Sequence, residues 1–289
     1  SLHDALPIYT AWLEEQIVAA LGFGDPSILY PLGADAGFMT YTRVAVSQAQ
    51  TRLARSTDRG ATWTYVRDLN VITPITVTTT DFGLCGSTTC SGNWVHEMST
   101  LIDDPTDPNP SQRYKVFLHS YFIASNGTQR FELGSIDLLT APNLSATATW
   151  SERRLFGWNS TSPRSSVGVQ YNVSADPTLA PLMGNCLFLM EPGALVRGAT
   201  IDLALSCYRY VSATSVPVEI VLVRSTDHGA TWFPVSKVLD VNDAAALGGV
   251  APWGPQLNAA DLFEAAGRYY VFVTPNGPVS NFSDTDRKS

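Results

Sequence analysis

The stretch "RSTDRGATW", Arg55 to Trp63, returns almost letter for letter as "RSTDHGATW", Arg224 to Trp232. Eight of nine letters match, and only Arg59 gives way to His228. A strand-like run precedes each copy ("TRLARS", "EIVLVRS") and another follows it ("TWTYV", "TWFPV"). Between them, Ser-Thr-Asp-x-Gly has turn chemistry. The carboxylates of Asp58 and Asp227 can accept backbone N–H bonds, and Gly60 and Gly229 can take positive φ. Trp63 and Trp232 then open the returning strand with a ring large enough to wedge against a neighbouring sheet. Each copy therefore predicts a hairpin corner with its own anchor, a structural device rather than a reactive one.

The phrase resembles the Asp-box, or BNR repeat, S-x-D-x-G-x-T-W, of sialidases and other β-propeller proteins. The resemblance implies a corner between the third and fourth strands of a propeller blade, away from the substrate face, with structural roles for Asp58 and Asp227. A degenerate third copy, "TAPNLSATATW", ends in Thr149-Trp150, so the tryptophans fall at 63, 150 and 232. Repeats of this length predict a modular array. The expected fold is all-β, a propeller of four-stranded antiparallel blades. About four blades are visible, the last incomplete, out of five or six in the intact protein. The expected organisation is a helical or leader segment over 1–24, read as a short amphipathic helix, and a propeller domain over 25–289, truncated at its C-terminal side. Alternating runs "GFMTYTRVAV", "RYKVFLHSYFI", "TIDLALSCYRY" and "RYYVFVTP" supply second strands. Surplus length is assigned to loops over 73–94 and 157–172.

The chain has 289 residues, 15% of them charged, with a net charge of −8. Its 3 Lys and 15 Arg do not suit a nucleic-acid partner, which requires a basic face. No run of 18 apolar residues predicts a membrane span. Cys85 and Cys90 bracket "CGSTTC", while Cys186 and Cys207 flank two strand-like runs. Two disulfides are expected rather than buried thiols, since no zinc spacing occurs. With sequons at Asn126, Asn143, Asn159, Asn172 and Asn281, they suggest a secreted, periplasmic or extracellular protein. No cofactor and no metal is expected. The acid-rich "DDPTDPN" (Asp103 to Asn109) offers oxygen ligands for calcium but lacks EF-hand spacing and is assigned to a solvated loop.

In propellers the innermost strands face a channel where ligands dock. Four segments are aligned as their beginnings: "GDPSIL" (Gly24–Leu29), "HEMSTL" (His96–Leu101), "ADPTLA" (Ala175–Ala180) and "WGPQLN" (Trp253–Asn258). An acid holds the second place in three of them: Asp25, Glu97 and Asp176. Converging carboxylates suit glycosidic cleavage, one protonating the leaving oxygen and another attacking or activating water. The trio is similar to the three-acid sites of five-bladed glycoside hydrolases, whose inner strands often open with Asp-Pro-Ser, although that family's Glu belongs in the third blade. Expected substrate contacts are Trp94, His96, Trp158, Arg164, Tyr171 and Trp253, aromatic and polar groups near the mouth. The expected function is carbohydrate hydrolysis. The alternatives are a non-catalytic glycan- or protein-binding propeller and an exo-sialidase. The latter would need three substrate-gripping arginines, for which Arg43, Arg164, Arg197 and Arg209 are the candidates.

Overall fold

The computed structural model describes residues 12–14, 22–31, 34–45, 48–78, 89–157, 178–184, 186–209, 217–246 and 256–276. The first sheet orders its strands β1-β5-β4-β3-β2, built from β1 (Trp12–Glu14), β2 (Gly22–Leu29), β3 (Gly37–Ala45), β4 (Gln48–Ser56) and β5 (Thr62–Asp68). The second runs β10-β9-β8-β7-β6, from β6 (Thr73–Thr78), β7 (Thr89–Asp103), β8 (Tyr114–Ala124), β9 (Gln129–Ala141) and β10 (Ser151–Gly157). The third is β11 (Cys186–Arg197), β12 (Thr200–Arg209), β13 (Val218–Ser225) and β14 (Phe233–Leu239) in sequence order. A two-stranded sheet follows, β15 (Gln256–Ala265) with β16 (Arg268–Asn276). Every described pairing is antiparallel except β1 on β5.

β2, β7, β11 and β15 are the inside strands and meet one another in succession, with β6 flanking the start of β7 in the second sheet. Three hydrogen bonds tie the first three sheets together around these strands, one of them to Thr42 of β3. The Leu101 N–H donates to Ser27 Oγ at 3.0 Å, the Met98 N–H to Thr42 Oγ1 at 3.1 Å, and the Thr100 hydroxyl to the Pro192 carbonyl. Between β11 and β15 the approach is closer still. A Cβ on Gly193 would lie 2.3 Å from the Ala260 carbonyl oxygen, so only glycine lets these backbones meet. Apolar side chains fill the gaps between sheets. Leu53 and Leu69 of the first sheet meet Leu101, Val116 and Leu139 of the second, and Phe117, Ile136 and Leu138 of the second meet Leu203 and Trp232 of the third.

The two repeated phrases occupy equivalent corners, β4–β5 and β13–β14, and bond alike. Ser56 Oγ donates to Asp58 Oδ1 and accepts from the Gly60 N–H, while Thr62 donates its N–H to Asp58 Oδ1 and its hydroxyl to Oδ2. Ser225, Asp227, Gly229 and Thr231 repeat all four bonds. Arg59 and His228 share φ near 60° (58° and 60°), followed by Gly60 at 88° and Gly229 at 90°. Trp63 and Trp232 are both buried, the second edge-on to Phe117 and Phe156 across the sheet boundary. Trp150 stands just before β10 at the corresponding corner of the second sheet, so the degenerate copy keeps the position without the bonds.

Three local expectations change. Within 1–24, where a helix was expected, the described residues Trp12–Glu14 form a strand that extends the edge of β5. Residues 73–94 are not wholly surplus loop. β-Branched Thr73, Ile75, Thr76, Val77 and Thr78 build β6, which pairs with Thr89–Trp94 at the start of β7. "ADPTLA" does not begin an inside strand. Thr178 and Leu179 form a turn, Ala180–Met183 a short helix, and the third inside strand is β11. Cys186 and Cys207 are joined as expected, linking β11 to β12. Cys90 is disulfide-bonded too, and its expected partner Cys85 lies outside the described residues. No described helix is long and apolar enough to cross a membrane.

Candidate active site

All four inside strands carry a bulge in the same place, with two residues opposite one on the neighbouring strand. The extra residues are Asp25-Pro26 in β2, Met98-Ser99 in β7, Glu191-Pro192 in β11 and Ala259-Ala260 in β15. The first residue of the pair is left-handed in three of them: Asp25 at φ 51°, Met98 at 54° and Glu191 at 53°. Non-glycine residues rarely hold this conformation, and where they do it re-aims a side chain out of the strand's alternation. In the first and third sheets the re-aimed side chain is a carboxylate. In the second it is Met98, and the acid, Glu97, comes one residue earlier, opposite His119.

Here Asp25 and Glu191 lie near enough to Glu97 for their charges to act on it. Burial is the chief cause that pushes Glu97 up to about 8. The Asp25 carboxylate adds to the rise, the Tyr121 hydroxyl pulls back, and Glu191 raises it again. Glu97 is 7% exposed, whereas Asp25 and Glu191 are half-buried. Glu191 accepts a 2.9 Å bond from the Ser206 hydroxyl. Beneath Glu97 lies an aromatic floor: His119 stacks on Tyr121 at 5.1 Å, and Phe131 closes on Tyr121 at 4.7 Å. The fully buried Tyr121 hydroxyl faces the Glu97 carboxyl without a well-aligned hydrogen bond. Burial, then the Glu97 charge, drive the Tyr121 pKa far up. Burial likewise depresses His119 to about 3.

Other expected contacts lie apart from this cluster. Trp94 is buried with Val77, Phe122 and Leu133, and the Arg154 guanidinium sits 5.1 Å above its ring. It is a packed core residue, with a face covered by a cation rather than open to a sugar. His96 alternates with Glu97 along β7 and so faces the sheet's interior, its Nδ1 2.8 Å from Ser120 Oγ. Burial is the main cause that lowers it to about 4, keeping it neutral. Asp176, Trp158, Arg164, Tyr171 and Trp253 lie outside the described residues. Glu191 was missed by residue spacing, yet Glu191-Pro192-Gly193 repeats the acid-proline-small pattern of Asp25-Pro26-Ser27 and was there to be aligned.

The acid-rich loop resolves differently from a calcium site. Lys115 Nζ lies 2.9 Å from Asp104 Oδ2 and 2.6 Å from Asp107 Oδ2, and donates to the Gln112 carbonyl at 2.7 Å. Lys115 and Asp104 are both fully buried. His228, from the third sheet's corner, adds its Nδ1 at 2.9 Å from Asp104. An ammonium group thus fills the cation's place.

No family model and no curated sequence matches the chain. Among solved structures it is similar to the Bombyx mori GH32 beta-fructofuranosidase BmSUC1, at TM-score 0.50 and 12% identity over 88% of this chain and 42% of that one. The fold is a β-propeller. Two further structures lie just below: the Hadza microbial sialidase Hz136, at 0.48 and 12% identity over 84% and 40% of the two chains, and the GH93 alpha-L-arabinofuranosidase of Fusarium graminearum, at 0.48 and 14% over 89% and 59%. The chain spans less than two thirds of the length of each. At such identities the likeness concerns the fold alone. The sheets are therefore blades, and β2, β7, β11 and β15 their inner strands.

Proposed function

We propose that the protein hydrolyses a glycosidic bond in a carbohydrate, with Asp25 and Glu191 flanking the scissile bond and Glu97 seated beneath them. The observation that carries this reading is the repeated inner-strand bulge, which turns Asp25 and Glu191 out of their strands toward a common third acid. Exposure divides the roles. Asp25 and Glu191 are accessible enough to touch a sugar, one protonating the leaving oxygen and the other attacking or activating water. Glu97 is too buried to do so and backs the pair as a third carboxyl. The third carboxyl is thereby assigned to Glu191 rather than Asp176. The two repeated corners are read as Asp-boxes, and the disulfides fit an extracellular setting. Trp158, Arg164, Tyr171 and Trp253 stay candidates for sugar contacts.

The test is turnover of a panel of aryl glycosides by the protein and by Asp25→Asn, Glu191→Gln and Asp176→Asn variants. Asp25→Asn and Glu191→Gln are each expected to lower kcat by about 10² to 10⁴-fold, with Asp176→Asn near unchanged. Full activity in Glu191→Gln removes it from the mechanism. A glycan-binding propeller would bind sugars without turnover and would be indifferent to either amide. The exo-sialidase alternative, for which the family resemblance implies a Tyr–Glu pair as nucleophile, has one point in its favour, the Tyr121–Glu97 neighbourhood. It needs an accessible, acidified phenol, however, and Tyr121 is fully buried with its pKa driven up. Two of its candidate arginines are held inside the third blade, Arg197 by Asp202 at 2.5 Å and Arg209 by Glu219 at 2.7 Å.

A further inference from the structure

We infer that His96, Asp137 and Glu152 form a binding site for one divalent transition-metal ion of the zinc class, set within the second blade and apart from the three inner-strand carboxyls. The residues come from β7, β9 and β10, and each offers a ligand atom, all within 4.8 Å of one another. A tetrahedral ion with bonds of about 2 Å holds its ligands roughly 3.3 Å apart. The set closes to that spacing by rotamer changes, chiefly of Glu152, which is long and reaches solvent.

The outer partners already orient the donors. His96 hydrogen-bonds the Val71 carbonyl, and its Nδ1 lies at Ser120, so the other ring nitrogen carries the proton to Val71 and Nδ1 keeps its lone pair. A ring N–H held by a backbone carbonyl is the usual support of a metal-bound histidine. Asp137 is 1% exposed. Its Oδ1 accepts from the Ser135 hydroxyl at 2.9 Å, while its Oδ2 has no hydrogen-bond partner. Asn70, 4% exposed, turns its amide N–H toward Glu152 without a well-aligned hydrogen bond, and its Oδ1, which has no partner, supplies a fourth donor. Buried polar atoms left without partners call for a bound species. On binding, the Ser120 hydroxyl yields the Nδ1 lone pair and turns toward Asp137, which it already contacts.

Charge points the same way. Asp137 and Glu152 bring two negative charges. The nearest described cation, Arg154, lies 3.6 Å from Asp137 Oδ1 and its charge also reaches Glu152, so the two acids outnumber it by one. The other cluster of this kind, Asp104, Asp107 and His228, is already satisfied by Lys115 Nζ and takes no ion. One imidazole with carboxylate and amide oxygens suits zinc better than calcium, which prefers six to eight oxygens. An ion can enter from a cleft of about 930 Å³ whose lining includes Asp137 and Glu152. Among the described residues no free cysteine competes for it.

The test uses the whole protein, stripped with a chelator, dialysed and titrated with ZnCl₂ by calorimetry, with metal content counted by mass spectrometry. One Zn²⁺ per chain is expected, with CaCl₂ giving no saturable heat. Glu152→Gln, a change at the surface that leaves the fold intact, is expected to weaken binding at least ten-fold, and Ser135→Ala by about 10 to 100-fold. Absence of saturable Zn²⁺ uptake by the folded wild-type protein overturns the site, as does Glu152→Gln binding with unchanged affinity. Loss of binding in Asp107→Asn but not in Glu152→Gln places the ion at the Lys115 cluster and also overturns it. None of these readouts depends on glycoside turnover.

Discussion

Asp25 and Glu191 owe their position to one backbone event, a bulge whose first residue turns left-handed. For a carboxylate at the axis, the chain must run two residues where its neighbour runs one. Gly193 shows how tightly that event is held, since a Cβ there would meet the Ala260 oxygen at 2.3 Å and the Asp261 Cα at 2.6 Å, both backbone. Gly193→Ala is expected to push β11 from β15, to cost about 1–3 kcal/mol as an overpacking change, and to cut turnover by re-aiming Glu191. Urea midpoints and rates on the same aryl glycoside check both. Residue patterns singled out Asp25 because Asp-Pro-Ser sits at the start of an alternating run. They aligned Asp176-Pro177 and passed over Glu191-Pro192, which is alike as letters. Glu191 takes its place from strand register, which depends on pairing with β12, a contact between distant residues, while Asp176 lies outside the described residues.

At the level of the element, the repeated corner was legible because every bond that shapes it is local. Ser, Asp, Gly and Thr lie within seven residues and bond among themselves in both copies. Asp58 is held at about 2, chiefly by the Thr62 hydroxyl and then by the Thr62 N–H. For Asp227 slight burial works upward, but Thr231 and Ser225 outweigh it and the pKa again falls to about 2. Both folded values lie below the unfolded 3.8. The stabilisation from these carboxylates is therefore complete above pH about 4 and is lost as pH falls through about 2. Asp58→Asn and Asp227→Asn are expected to be less stable than the wild type at pH 6, with the difference shrinking from pH 4 to pH 2. Denaturant midpoints across that range measure it. A gap that persists unchanged at pH 2 would mean the carboxylate charge is not what holds the corner. β6 was not legible in the same way. A Thr-rich stretch has strand propensity but no fixed partner until β7 is in place.

Across the whole molecule, the blades are joined by apolar contacts and by a few polar ties, of which Lys115 is the most deeply buried. Its ammonium serves two carboxylates and a carbonyl, and Asp104 passes the connection to His228 in the next blade. Lys115→Met would leave Asp104 and Asp107 without their cation in a dry setting. Breaking a buried pair by removing one partner costs about 3–5 kcal/mol. Lys115→Met is expected to lose that much by urea unfolding at pH 7, and Lys115→Met with Asp104→Asn and Asp107→Asn to recover part of it. An unchanged midpoint for Lys115→Met would contradict the tie. None of this could be read from "DDPTDPN" alone, because Lys115 lies on a different strand from Asp103 and comes back to the loop only through the β7–β8 hairpin.

The single letter by which the two phrases differ falls at this junction. Arg59, in the first copy, reaches an exposed Asp35 at 3.0 Å, while His228, in the same backbone conformation, reaches a buried acid already engaged by a lysine. An arginine in the second copy would bring a longer side chain with a permanent positive charge against the Lys115 ammonium. A ring grown by duplicating one module would therefore need editing wherever module meets module, and swapping the two nonapeptides would probe whether one substitution was enough.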